Sequence, residues 1–174
     1  DSVASRGLGD VYKRQPKNIL EIGTFSGYSA ICMAEGLGED GRLYTFEIND
    51  EMEDFTRPWI ENSPVASKIH FIIGDANVEA PKLNIVFDMA FVDGDKRTYI
   101  ETYETVLKLL RPGGFILADN TLWDGHVIDP HYQHDAQTQG IAQFNDFIAQ
   151  DARVEKVILP IRDGLTIIRK KLNE

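Results

Sequence analysis

From Lys17 onward, short runs of β-branched and aromatic residues alternate with stretches of helical periodicity, the pattern of a mostly parallel sheet with helices on both faces. The strand candidates are Asn18 to Ile22, Arg42 to Ile48, Lys68 to Ile73, Val86 to Val92, Phe115 to Ala118, Val154 to Leu159 and Leu165 to Arg169. The clearest helix runs from Arg97 to Leu110: Tyr99, Ile100, Tyr103, Val106, Leu107 and Leu110 recur at helical spacing, and Arg111-Pro112-Gly113-Gly114 ends it. A second, Glu51 to Glu61, puts Met52, Phe55, Trp59 and Ile60 on one side, with Pro58 predicting a kink or a late start. A third, Thr138 to Gln150, uses Ile141, Phe144, Phe147 and Ile148 in the same way. The last two β-rich runs are joined by Pro160-Ile161-Arg162-Asp163-Gly164, whose Asp-Gly is a hairpin signal, so the final strand enters antiparallel. The expected fold class is α/β: a doubly wound, seven-stranded, mostly parallel sheet with an antiparallel last strand.

Composition narrows the classes open to such a fold. With 174 residues, 43% hydrophobic and 26% charged, the chain suits one packed domain, placed at residues 16–174. No apolar run approaches the roughly 18 to 20 residues that span a bilayer, so no membrane role is expected. The single cysteine, Cys32, can form neither an internal disulfide nor a multi-cysteine zinc site; it reads as a core residue of a protein in a reducing, cytoplasmic setting. A net charge of −10 argues against a broad grip on nucleic acid or anionic lipid. Asp1 to Gln15 carries +1 (three basic minus two acidic residues) and lacks an apolar core or any periodicity. It therefore resembles neither a secretory signal nor a structural element, and is read as a non-native or disordered leader.

Three motifs fall where strands end, at the ligand-binding edge of an open α/β sheet. In Glu21-Ile22-Gly23-Thr24-Phe25-Ser26-Gly27-Tyr28-Ser29 the glycines are spaced G-x-x-x-G rather than G-x-G-x-x-G, which suits a nucleoside without a pyrophosphate. Glu47, 24 residues after Gly23 (47 − 23), ends the next strand, where a carboxylate can accept hydrogen bonds from both ribose hydroxyls. Asp93 ends the fourth strand and Asp119-Asn120 the fifth. If those strands are neighbours, two carboxylates and an amide oxygen converge, a donor set for a hard cation such as Mg²⁺, with Mn²⁺ or Ca²⁺ equally served by oxygen ligands. The competing reading of each is bland: structural glycines, a solvated glutamate and helix-capping aspartates.

The run from Asn18 to Lys171 resembles the metal-dependent, S-adenosylmethionine-using O-methyltransferases of the catechol and caffeoyl-CoA type (O-methyltransferase family 3), particularly bacterial members; EIGTFSGYS, FEIN, VDGDK, RPGGFILADNTLW and LPIRDGLT occur in that family's order. The resemblance implies a Rossmann-like class I methyltransferase fold. It implies a cofactor site in which Glu21, Gly23, Phe25, Tyr28 and Ser29 line the methionine and sugar portion, Glu47 and Ile48 hold the ribose, and Asp75 and Ala76 border the adenine, with Asp93 beside them. It implies Asp93, Asp119 and Asn120 as metal ligands, Lys96 as general base, a phenolic small-molecule acceptor and a homodimer. Members carry several tens of residues of helix before the first strand; here only Asp1 to Gln15 precedes it, so a lid over the cofactor is expected to be missing and water exclusion weakened.

Charge explains the expected chemistry. A divalent cation bound to two adjacent phenolic oxygens stabilises their anionic form, and it lowers the pKa of a neighbouring lysine by disfavouring the ammonium. Thr121 to Ala136 is the expected acceptor-side loop, with Trp123 and Tyr132 available to stack on a flat ring. His126, His131 and His134 suit no zinc signature and read as exposed loop residues, and His70 as a structural strand residue. Competing functions are a nicotinamide dehydrogenase, which wants G-x-G-x-x-G; a methyltransferase of a hydroxylated tRNA base, which a local basic stripe would favour; and a cofactor-binding module without turnover.

Overall fold

The computed structural model describes residues 15–172; the leader reading of residues 1–15 lies outside these residues save for Gln15. The strands are β1 (Asn18–Ile22), β2 (Arg42–Glu47), β3 (Ile69–Ile73), β4 (Phe87–Val92), β5 (Leu110–Asp119), β6 (Val154–Leu159) and β7 (Leu165–Lys170). They form one sheet in the order β3-β2-β1-β4-β5-β7-β6, parallel except for β7, which runs antiparallel to both β5 and β6. The helices are α1 (Tyr28–Glu35), α2 (Glu53–Glu61), the single turn α3 (Ala76–Glu79), α4 (Tyr99–Leu109) and α5 (Ala136–Gln150). Among the described residues no helix is long and apolar enough to cross a membrane.

Alternation along the strands builds two cores. Ile19 and Leu43 face α1 and α2 through Ala30, Ala34 and Ile60, while Leu20, Phe46, Ala90, Ile116 and Ile168 face α4 and α5 through Tyr99, Tyr103, Val106, Ile141 and Phe144. The apolar stripe of α4 thus packs where its spacing placed it, and Tyr99 and Tyr103 meet Phe144 edge-on at 5.2 and 5.9 Å between centroids.

Three expectations are corrected. Of the apolar side assigned to Glu51–Glu61, only Ile60 is buried; Phe55 and Trp59 are exposed and Thr56 takes their place. The reason is local: the Thr56 hydroxyl donates to the carbonyl of Phe25, and the glycine loop at Gly27 rests on Thr56 and Ile60, which fixes the rotation of α2 against its hydrophobic spacing. The helix starts late, after a 3₁₀ turn at Asp50–Met52, and runs through Pro58. Cys32 is exposed rather than core, because α1 turns Ala30 and Ala34 inward instead. Arg111–Gly114 ends the preceding helix but belongs to β5 itself, which starts at Leu110.

Close approach makes one glycine structural. A Cβ on Gly140, in the body of α5, would sit 2.4 Å from the Lys96 carbonyl oxygen and 2.8 Å from Arg97 Cα. Helix propensity alone favours alanine there by about 1 kcal/mol, but the backbone contact outweighs it: Gly140→Ala is expected to lower the unfolding free energy by roughly 1–3 kcal/mol, measured by urea denaturation.

Candidate active site

The first turn of the sheet, after β1, holds Gly23 at φ +98, and a Cβ there would lie 2.4 Å from the Asp93 carbonyl oxygen. Only glycine lets the β1 loop press against the end of β4. Beside this contact lies a cleft of about 420 Å³ lined by Gly23, Phe25, Glu47, Ile48, Asp75, Ala76 and Asp93, together with Asn77, Asp95, Thr98 and Thr102. The Glu47 carboxylate is oriented by two backbone donors, Phe25 N at 2.9 Å and Asn49 N at 3.0 Å. The Asp75 side chain caps α3 by accepting from Asn77 N at 2.8 Å.

Three residues expected around the cofactor stand apart from this lining. Tyr28 is exposed on the first turn of α1, and Ser29 is half-buried beneath it. Glu21 is completely buried under the glycine loop, with neither carboxyl oxygen in a hydrogen bond among the described residues. Burial pushes its pKa up to about 7, the nearby hydroxyls of Ser29 and Thr45 opposing part of the shift.

The second half of the site lies at the ends of β4 and β5. These strands are parallel neighbours, registered Val92 to Ala118, so the next residues, Asp93 and Asp119, stand level at the carboxyl edge. Asp119 Oδ1 accepts from Asn120 N at 2.8 Å, and Asn120 holds a left-handed φ of +57. Lys96, almost fully buried, sets Nζ 3.0 Å from Asp93 Oδ1 and 2.6 Å from the Tyr99 hydroxyl. That hydroxyl lies 3.0 Å from both the Val92 and Asp119 carbonyl oxygens, and donates to one of them at a time. Burial lowers the Lys96 pKa, against the pull of Asp93, Asp119 and Asp163; burial likewise raises that of Asp119, with Asn120 N–H opposing and Asp93 adding. The Asn120 amide nitrogen faces Asp163 Oδ2 at 3.4 Å. A carboxylate at that side selects the NH₂ end of the amide and leaves Oδ1 for the other.

Among the described residues no three His, Cys, Asp or Glu side chains are placed to share a metal ion. Asp93, Asp119 and Asn120 offer two carboxylates and one amide oxygen, and that all-oxygen chemistry fits a hard divalent cation completed by water or substrate oxygens. His126 stacks on Tyr132 at 3.6 Å and His131 bonds Asp129, so the loop histidines form no cluster. Tyr132 thus has one ring face on His126 and stays 40% exposed. Trp123 packs against the main core with Lys96 Nζ 5.8 Å from its ring centroid.

Tyr99 and Asp163 were not singled out from the sequence. Tyr99 sits on the apolar stripe of its helix and reads as packing; Asp163 belongs to an Asp-Gly hairpin signal and reads as turn chemistry. Asn77, Asp95, Thr98 and Thr102 carried no signal beyond following a strand.

Residues 11–171 match a protein-family model described as O-methyltransferase. Caffeoyl-CoA O-methyltransferase 5 of Nicotiana tabacum is 36% identical over 169 residues, covering 88% of this chain and 69% of that protein. The solved O-methyltransferase from Bacillus cereus in complex with SAH superposes with a TM-score of 0.85 at 33% identity, covering 98% of this chain and 83% of that one. TomG of Streptomyces achromogenes, an O-methyltransferase of tomaymycin synthesis solved with SAM, gives 0.84 at 32% identity, covering 98% and 81%. The fold is thus the Rossmann-like one of class I methyltransferases.

Glu21 generates a pH-dependent expectation. Its pKa rises from 4.5 in the unfolded chain to about 7 in the fold, so its contribution to stability is full below about pH 4.5 and is lost as pH rises toward about 7. Glu21→Gln removes that loss: at pH 8 the variant is expected to be more stable than wild type by up to about 3 kcal/mol, with the gain vanishing near pH 4.5. Denaturant titrations at the two pH values check it; an equal difference at both would contradict it.

Proposed function

The chain belongs to this O-methyltransferase family, and we propose that it transfers the methyl group of S-adenosylmethionine to one hydroxyl of a metal-chelated vicinal diol on a phenolic acceptor of the catechol or caffeoyl type. The observation that carries this reading is the juxtaposition of Asp93, Asp119 and Asn120 with the buried Lys96 amine beside a nucleoside-sized cleft containing Glu47. The relatives solved with SAM and SAH support the cofactor.

In this reading Glu47 receives the ribose diol. Its two oxygens are already aimed by Phe25 N and Asn49 N, and each keeps a lone pair for a hydroxyl. Backbone around Gly74 to Ala76 borders the base. Asp93, Asp119 and Asn120 would hold the divalent cation, which when bound would lower the pKa of the acceptor hydroxyl.

Lys96 acts on the proton. Burial disfavours its ammonium, so Nζ is poised to accept the acceptor's hydroxyl proton while the Tyr99 hydroxyl and Asp93 fix its direction. The step balances: the phenolic oxygen bonds to the methyl carbon as that carbon's bond to the sulfonium sulfur breaks, the sulfur leaves as the neutral thioether of S-adenosylhomocysteine, and the proton the oxygen loses passes to Lys96.

Two variants test this. Calorimetry on wild type is expected to show SAH binding, then catechol binding that requires Mg²⁺; Asp119→Ala keeps the first and loses the second. Lys96→Ala is expected to bind SAH normally and to lower kcat by roughly 10²–10⁴-fold, the span of general base catalysis. Absence of SAH binding by wild type would remove the nucleoside reading, and metal-independent catechol binding would remove the chelation.

A further inference from the structure

Beside Asp119 and Asn120, sharing no lining residue with the nucleoside cleft, lies a cavity of about 340 Å³, at the small end of ligand pockets. Its walls are apolar at Phe91, Ile161 and Leu165 and charged at Asp119, Asp163 and Arg162. Arg162 comes from the turn between β6 and β7. That turn is tied to the strand carrying the metal-ligand candidates: the Asp163 carbonyl accepts from Leu122 N at 2.7 Å and Trp123 N at 3.1 Å, and the Gly164 carbonyl from Thr121 N at 3.0 Å. Arg162 is therefore held at a fixed offset from Asn120.

Two further features bear on this residue. Its φ is +51, the left-handed region that favours glycine, so the arginine occupies a position where its own backbone is strained. Arg57, Arg97, Arg111, Arg153 and Arg169 each meet a carboxylate; among the described residues Arg162 forms no ion pair and no side-chain hydrogen bond. The chain as a whole carries −10, and the cavity itself holds two carboxylates. An anionic acceptor would be repelled without a local cation, and Arg162 supplies one at the rim with a planar donor fork suited to a carboxylate.

We infer that Arg162 is a specificity-determining residue of the acceptor subsite, and that the acceptor class is a catechol bearing a carboxylate on its ring or on a short side chain. The inference rests on the diol-methylation reading and names its substrate class. With the diol at Asp93, Asp119 and Asn120, the ring lies between Phe91 and Ile161 and the carboxylate reaches the guanidinium.

The test compares protocatechuate, a dihydroxybenzoate, with its uncharged aldehyde and with caffeoyl-CoA, in kcat/KM and in calorimetric binding in the presence of SAH and Mg²⁺. Wild type is expected to favour protocatechuate over the aldehyde. In Arg162→Gly, whose backbone suits the turn, that preference is expected to fall by about tenfold or more, through KM rather than kcat; Arg162→Lys recovers part of it. A merely structural role would affect both acceptors alike, and thermal midpoints of the variants report on folding. An unchanged preference in Arg162→Gly, or a wild-type preference for the aldehyde or the coenzyme A thioester, overturns the inference while leaving diol methylation standing. If wild type neither binds nor methylates any of the three, the diol reading fails and this inference fails with it.

Discussion

Parallel pairing of β4 with β5 is the constraint on which the site depends. Two parallel strands in register end at the same level, so Asp93 and Asp119 stand side by side although 26 residues (119 − 93) and a helix separate them. The helix that makes the crossover also begins by delivering Lys96 and Tyr99 to the same edge. Tyr99 then reaches the last carbonyls of both strands and the lysine amine with a single hydroxyl. The direction of the amine is thereby tied to the ends of both strands through one buried hydroxyl.

Burial does the electrostatic work. Lys96 would be a solvated ammonium in a loop; under Trp123 and against α5 it loses hydration and its pKa falls. Glu21, one strand away, is driven in the opposite direction by the same cause. Both shifts are costs to the fold, since each charged form is deprived of water.

Much of this was legible in the chain itself. All seven strands, the antiparallel entry of the last and the packing stripe of α4 follow from period and turn residues, because those signals are local. The strand-end positions of Gly23, Glu47, Asp93, Asp119 and Asn120 were legible as well, since each closes a β-rich run, whereas Asp75 was marked only by the family resemblance. The face of α2 was not: a Thr56 hydroxyl and the Gly27 loop outweighed Phe55 and Trp59, and neither contact leaves a periodic trace. The exposure of Cys32 was hidden for a similar reason, because two alanines a turn apart fill the inner face of α1.

Sequence alone determined the order of elements and which residues close each strand, the glycine turn after β1 and the Asp93 and Asp119-Asn120 ends among them, because each is written in neighbouring residues. Tertiary structure decided what those residues meet. It withdrew Glu21 from the cleft lining, stacked Tyr132 on His126, buried Lys96, and brought Asp163 and Arg162 from the end of the chain to the fifth strand. Such placements depend on contacts between segments distant in the chain, and it is burial and proximity, rather than residue type, that set the charge and reach of a side chain.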